Sequence, residues 1–163
     1  MKKNTTYNFQ QTQKIGENLA KQILKQNLGN IATVLGLQGE LGAGKTTFLQ
    51  GFAKGLGIKE KVNSPTFVIM KKFKIPTSSL KLQASSFNFF YHIDCYRLNK
   101  PEEILDLGFR EIILNPENIV AIEWPEKIKK IMLKNAIVIK FKRSKESFDS
   151  TQGENKRELT MDK

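Results

Sequence analysis

Gly39-Glu40-Leu41-Gly42-Ala43-Gly44-Lys45-Thr46 satisfies the pattern G-x-x-x-x-G-K-[ST] at every fixed position. These residue types at this spacing suit the binding of phosphates. The glycines allow backbone conformations closed to other residues and bring amides close to phosphate oxygens. Lys45 is placed to reach β- and γ-phosphates, and the Thr46 hydroxyl to meet a magnesium ion. Phosphoryl chemistry at such a loop also calls for an acid at the end of a buried strand, to hold the magnesium shell or to orient water. Two positions qualify. Asp94 follows Phe89-Phe90-Tyr91-His92-Ile93, and Glu123 follows Ile119-Val120-Ala121-Ile122. Their spacing from the glycine-rich loop does not choose between them.

The loop needs a strand before it and a helix after it. Ile31 to Leu37 is a short, mostly apolar run and is expected to form a buried strand. Thr47 to Leu56 carries Phe48, Leu49, Phe52 and Leu56 at helical spacing, with Gly55 and Gly57 ending the helix. The N-terminus of that helix, with its unpaired N–H groups, would point at the phosphates. Upstream, Thr12 to Lys25 places Ile15, Leu19 and Ile23 on one helical stripe, closed by Gly29. Downstream, Phe67 to Phe73 reads as a strand, Lys74 to Ser86 as a polar loop, and Phe87 to Ile93 as an aromatic-rich strand. Pro101 to Leu107 has helix start and stop signals ending at Gly108. Ile119 to Ile122 is a third buried strand, Pro125 to Leu133 a short helix and Ala136 to Phe141 a strand. Ser144 to Asn155 reads as a flexible loop and Lys156 to Met161 as a last, edge strand. The early alternation of strand and helix argues for an α/β fold of the P-loop NTPase type: three layers, a mainly parallel central sheet and antiparallel additions. Residues 1–163 are expected to form a single domain, with flexible loops at about 74–86 and 144–155.

Four further residues or segments stand near this machinery. Ser64-Pro65-Thr66 opens the segment after the P-loop helix. A threonine there can sense a γ-phosphate, but spacing alone favours an ordinary proline turn. His92, the single histidine, sits among aromatic residues and reads as structural. Cys95 has no second cysteine to share a metal with and reads as buried and inert. Trp124 covers a nucleotide, meets a partner or belongs to the core.

Composition bounds the rest. A chain of 163 residues, 39% hydrophobic and 26% charged, can build one ordinary core. No apolar run approaches the roughly 20 residues a membrane span needs. The first ten residues lack the apolar segment of a signal peptide. A lone cysteine permits no internal disulfide, which fits a reducing, cytoplasmic compartment. The formal charge is +11, and seven lysines fall between Lys54 and Lys81 against one acid, Glu60. They are scattered among few aromatic residues, so a solvated lysine-rich surface is the plainer reading and an RNA-bearing or acidic partner the other.

Several motifs then fall in one order: G-E-L-G-A-G-K-T-T-F from Gly39, S-P-T-F from Ser64, Y-H-I-D-C-Y-R-L from Tyr91, E-E-I-L-D-L-G from Glu102 and I-E-W-P from Ile122. From about Thr12 to Phe141 the chain resembles the bacterial TsaE family, also called YjeE. Arg157 is set against the arginine that family members carry on a late strand. The resemblance implies an ATP-binding and hydrolysing protein that acts with TsaB and TsaD. That system forms N6-threonylcarbamoyladenosine at position 37 of tRNAs reading codons that begin with adenine. On that resemblance the chain itself would meet tRNA only indirectly, through the complex, and is expected to meet no membrane. Carried over, ATP or ADP with Mg²⁺ would lie against Thr12, the loop from Gly39 through Thr47, and Trp124. Thr66 becomes the switch-like threonine, and Asp94 and Glu123 the acids near the metal and the attacking water. The chain departs from the family at Cys95 and in a longer segment from about Lys74 to Phe87.

Three other readings compete. A small-molecule kinase usually carries an arginine-rich lid, whereas the four arginines here, Arg97, Arg110, Arg143 and Arg157, are dispersed. A nucleotide-dependent interaction module would bind without useful hydrolysis. A direct tRNA binder would rest on charge alone. No arginine lies in the P-loop or in S-P-T-F to serve as an internal finger.

Overall fold

A computed structural model describes residues 2–26, 29–76, 87–133, 135–143 and 156–162. Among the described residues seven strands form one sheet in the order β1-β7-β6-β2-β5-β4-β3. They are β1 (Lys2–Thr6), β2 (Thr33–Gln38), β3 (Met70–Lys74), β4 (Phe89–Asp94), β5 (Asn118–Glu123), β6 (Ile137–Arg143) and β7 (Arg157–Asp162). The central four, β6-β2-β5-β4, are parallel. β3, β7 and β1 join antiparallel. The expected parallel core with antiparallel additions is the architecture found.

Two helices cover one face: α1 (Phe9–Leu24) and α2 (Lys45–Gly55). Asn8 caps α1 by accepting the Gln11 N–H at 2.9 Å. Phe48, Leu49 and Phe52 of α2 are completely buried against Leu35 and Leu37 of β2, Phe90 of β4 and Phe141 of β6. Each such side chain contributes about 1.5–3 kcal/mol by leaving water. The two helices approach so closely that glycine is required between them. A Cβ on Gly51 would stand 1.9 Å from the Gln13 carbonyl oxygen, and one on Gly16 2.2 Å from that of Phe48. The other face is covered by α3 (Phe109–Leu114) and by 3₁₀ segments at Pro101–Leu107 and Pro125–Ile128, over Val34, Ile93, Val120 and Ile122.

Several boundaries differ from the sequence expectation. The strand expected over Phe67 to Phe73 starts only at Met70, because Phe67 and Val68 lie exposed in a turn and Ile69 takes a left-handed φ of 62°. Lys156 to Met161 does not end the sheet: β7 lies inside it, with β1 beyond as the edge. Gly29 does not close α1, whose cap is Lys25 in a right-handed conformation. Pro101 to Leu107 winds as 3₁₀ rather than α, as does the start of Pro125 to Leu133. The expected loop over 144–155 and most of that over 74–86 lie outside the described residues; within the latter, Lys74 ends β3. Part of the basic charge has a plain structural reading. Lys71, Lys72 and Lys74 sit on the edge strand β3 and Lys3 on the edge strand β1, where charge discourages pairing with another sheet.

Candidate functional site

The parallel strands β2, β5 and β4 end side by side, and at that edge the chain assembles its polar residues. β2 leads into the glycine-rich loop. Gly44 caps α2 with a φ of 101°, in the region that favours glycine, so the loop turns directly into the helix. The first N–H groups of α2 and its positive dipole end therefore face the same hollow.

Lys45 is buried, with 4% of its surface exposed. Its Nζ donates to the carbonyls of Gly39 at 2.7 Å and Glu40 at 3.0 Å, and lies 4.3 Å from the centre of the Trp124 ring. Burial holds its ammonium below the usual lysine range, opposed only partly by the carboxylates of Glu123, Asp94 and Glu126. A phosphate oxygen would favour the charged form further.

The two carboxylates pair in register across β4 and β5. Asp94 Oδ2 accepts from Ser64 Oγ at 2.5 Å and Thr66 Oγ1 at 2.6 Å, while Oδ1 accepts the Tyr96 N–H at 2.9 Å. Thr66 therefore has a carboxylate partner, which the proline-turn reading did not supply. Glu123 Oε1 accepts from Thr46 Oγ1 at 2.9 Å and faces His92 Nε2 at 2.9 Å. Both acids are nearly inaccessible, at 3% and 4% exposed. Trp124, in a left-handed conformation with φ 59°, turns the chain away from β5 and sets its ring beside Lys45 and Tyr96.

These residues bound a cleft of about 290 Å³. Leu41, Gly42, Gly44, Lys45, Thr46 and Thr47 line one side, and Thr66, Asp94, Glu123 and Trp124 the other. Gly39, Glu40, Ala43 and Thr12 do not line it. Gly39 and Glu40 hold Lys45 through their carbonyls, and Ala43 is buried. Thr12 packs beneath Gly44, its hydroxyl 2.9 Å from that of Thr6. A larger hollow of about 600 Å³ lies at the far end of α2, among Gln13, Lys54 and Lys61, and holds none of the motif residues.

Arg157 was legible only through its family match. It reaches the loop from β7, where its Cδ would lie 3.2 Å from a Cβ on Gly44. Its Nε and Nη1 are buried without a hydrogen-bond partner among the described residues. Cys95 is fully buried, and burial pushes its thiol up to about 12, which makes it a poor nucleophile.

The donors suit a magnesium ion, which prefers oxygen and takes one or two carboxylates together with phosphates and water. Thr46, Glu123 and Asp94 offer only oxygens here. Among the described residues no cluster of three or more His, Cys, Asp or Glu stands ready to hold a metal alone. No helix among the described residues is long and apolar enough to cross a membrane.

Comparison with known proteins agrees with this architecture. Residues 6–154 match the family model described as threonylcarbamoyl adenosine biosynthesis protein TsaE. The tRNA threonylcarbamoyladenosine biosynthesis protein TsaE of Bacillus subtilis is 38% identical over 128 residues, covering 78% of this chain and 68% of that one. Its namesake in Rickettsia typhi is 38% identical over 132 residues, 80% and 82% of the two chains. The Haemophilus influenzae protein of that name is 35% identical over 114 residues, 70% of this chain and 65%, just under two thirds, of its own length. The crystal structure of Bacillus subtilis YdiB superposes with a TM-score of 0.70 at 28% identity, covering 98% of this chain and 83% of that one. The chain belongs to the TsaE family of threonylcarbamoyl adenosine biosynthesis proteins.

Proposed function

We propose that this chain, acting as one domain, binds and hydrolyses ATP in the service of forming N6-threonylcarbamoyladenosine on tRNA, in the cytoplasm, with TsaB and TsaD as partners. One observation carries the ATPase reading. The Thr46 hydroxyl of the P-loop helix is hydrogen-bonded to Glu123, 77 residues later, at the end of the neighbouring strand. That bond joins the phosphate-binding half of the site to an acid half.

In this reading the loop amides and the start of α2 bind the phosphates. Lys45 exchanges the carbonyls of Gly39 and Glu40 for phosphate oxygens. Thr46 and Glu123 hold Mg²⁺, which when bound neutralises phosphate charge. Glu123 also orients water, and Asp94 holds Thr66 where the γ-phosphate would lie. Arg157 brings a second cation, beside that of Lys45, to the loop from within the chain. Leu41, which lines the cleft, and Phe67, next in sequence to the lining residue Thr66, are both exposed. Water then reaches the phosphates and the local dielectric stays high, so hydrolysis by the chain alone is slow and a docked partner that covers the cleft accelerates it.

The test is phosphate release from ATP by the chain alone and with TsaB and TsaD, beside tRNA modification reconstituted with and without the chain. Faster release and chain-dependent modification are expected. Equal rates, with no binding among the proteins in any nucleotide state, would reject the reading and favour an independent ATPase or kinase.

A further inference from the structure

His92 reads from sequence as a structural histidine, and its burial is complete. Its placement gives it more to do. On β4 the two-residue period puts His92 on the same face as Asp94, one pleat deeper toward the core. Asp94 pairs with Glu123 and His92 with Ala121, so His92 lies diagonally beneath Glu123. Its Nε2 is 2.9 Å from Glu123 Oε1, the same oxygen that accepts the Thr46 hydroxyl. Its Nδ1 is buried with no hydrogen-bond partner among the described residues. A hydrogen on Nδ1 would be buried unpaired and would leave a bare Nε2 with its lone pair facing the Glu123 carboxylate oxygen at 2.9 Å. The geometry favours the hydrogen on Nε2, donated to Glu123.

We propose that His92 is the positioning residue of Glu123: it fixes the carboxylate from below through Oε1, so that Oε2 is presented to the cleft. Among the described residues no donor reaches Oε2, while Glu123 lines the cleft. A glutamate side chain has three rotatable bonds, and a single hydroxyl beside it leaves rotation about the carboxylate open. Two donors on one oxygen from different elements, α2 and β4, close that freedom. An imidazole N–H does so while bringing less positive charge than a lysine would, and so leaves the carboxylate its attraction for a cation. Outer partners of this kind orient the groups that meet a metal and tune their basicity. The inference rests on the reading of Glu123 as a carboxylate of the nucleotide site.

The experiment compares His92→Gln, His92→Asn and His92→Leu with the unchanged chain. A glutamine amide can place an N–H where Nε2 lies. Asparagine is one carbon shorter and cannot, and leucine has no donor. Three quantities are measured: ATP affinity in EDTA, the Mg²⁺ concentration that half-saturates the Mg²⁺-dependent gain in ATP binding, and turnover. Expected for Asn and Leu is about a tenfold rise in the Mg²⁺ requirement and about a tenfold fall in turnover, with ATP affinity in EDTA unchanged. Glutamine is expected to restore both to within about threefold. In a Glu123→Gln background the differences among the His92 variants should vanish. If leucine fails to fold, judged by thermal melting, the Gln and Asn pair decides.

Gln as poor as Asn, all variants equal to the unchanged chain, or undiminished His92 effects without the Glu123 carboxylate would each overturn the positioning role while leaving the nucleotide site standing. Glu123→Gln with unaltered Mg²⁺ requirement and turnover would instead overturn the site reading itself, and the role of His92 with it.

Discussion

Asp94 and Glu123 end adjacent parallel strands and pair in register, yet different parts of the chain hold them. Glu123 is tied to the P-loop helix through Thr46 and to the core through His92. Both partners sit on regular elements packed against buried aromatic side chains. Asp94 is tied to Ser64 and Thr66, in a segment without regular structure, and to the amide of Tyr96. That segment runs into Ile69, whose positive φ is unfavourable for a β-branched residue and whose carbonyl accepts the Asp94 N–H at 2.8 Å. Two acids of one type at one sheet edge thus have different mechanical surroundings. A carboxylate braced by helix and core suits chemistry that needs a fixed position. One braced by a loop suits coupling what is bound to how that loop lies.

The sharpest way to break this comparison is to remove the cation of the glycine-rich loop. Lys45→Ala is expected to weaken ATP binding about a hundredfold or more, the loss of charge-assisted hydrogen bonds in a buried site. Isothermal calorimetry measures it, and unchanged affinity would remove the loop from the account. Next in size, Glu123→Gln should lower partner-stimulated turnover about a hundredfold while ATP affinity changes less than about threefold. Steady-state phosphate release and calorimetry together separate the two effects, and a variant that hydrolyses at the unchanged rate shows Glu123 to be a bystander. Asp94→Asn should cost about tenfold in turnover, since the amide keeps one acceptor oxygen. It should also speed hydrogen exchange at residues 66–70, where Glu123→Gln should not. Equal exchange in both variants would erase the distinction between the acids. Smallest of all, Ser64→Ala removes one of two hydroxyls on Asp94 Oδ2 and should change turnover less than about threefold, because Thr66 still donates. A loss as large as that of Asp94→Asn would assign the segment's role to Ser64 instead of Thr66.

The phosphate loop was legible because its chemistry is local: glycines, a lysine and a hydroxyl within eight consecutive residues. The two acids were legible as strand ends, since apolar runs announce buried strands and the ligand edge follows from parallel pairing. Which acid meets Thr46 was not, because that contact spans 77 residues and depends on strand order. His92 carried a signal that composition hides: H-x-D on a strand puts both side chains on one face. β1 escaped notice because Lys-Lys-Asn-Thr-Thr has no apolar alternation. It is held by backbone pairing to β7, and Thr6 is buried beside Thr12. The strand expected from Phe67 failed for the opposite reason. Its apolar residues Phe67 and Val68 are exposed, with Arg97 4.3 Å from the centre of the Phe67 ring. Gly55 reads as a helix-ending residue, but α2 contains it, and a Cβ there would stand 2.5 Å from the Glu17 carbonyl oxygen of α1.

Trp124 offers the most direct measurement of whether this cleft is the nucleotide site. It is the only tryptophan of the chain, it lines the cleft, and its ring lies 4.3 Å from the Lys45 ammonium. Titrating ATP with Mg²⁺ while following tryptophan emission therefore reads the site without a label. A saturable change in emission that Lys45→Ala abolishes is expected. Emission that stays flat while calorimetry shows ATP binding would place the nucleotide elsewhere, and no binding by either method would contradict the assignment altogether.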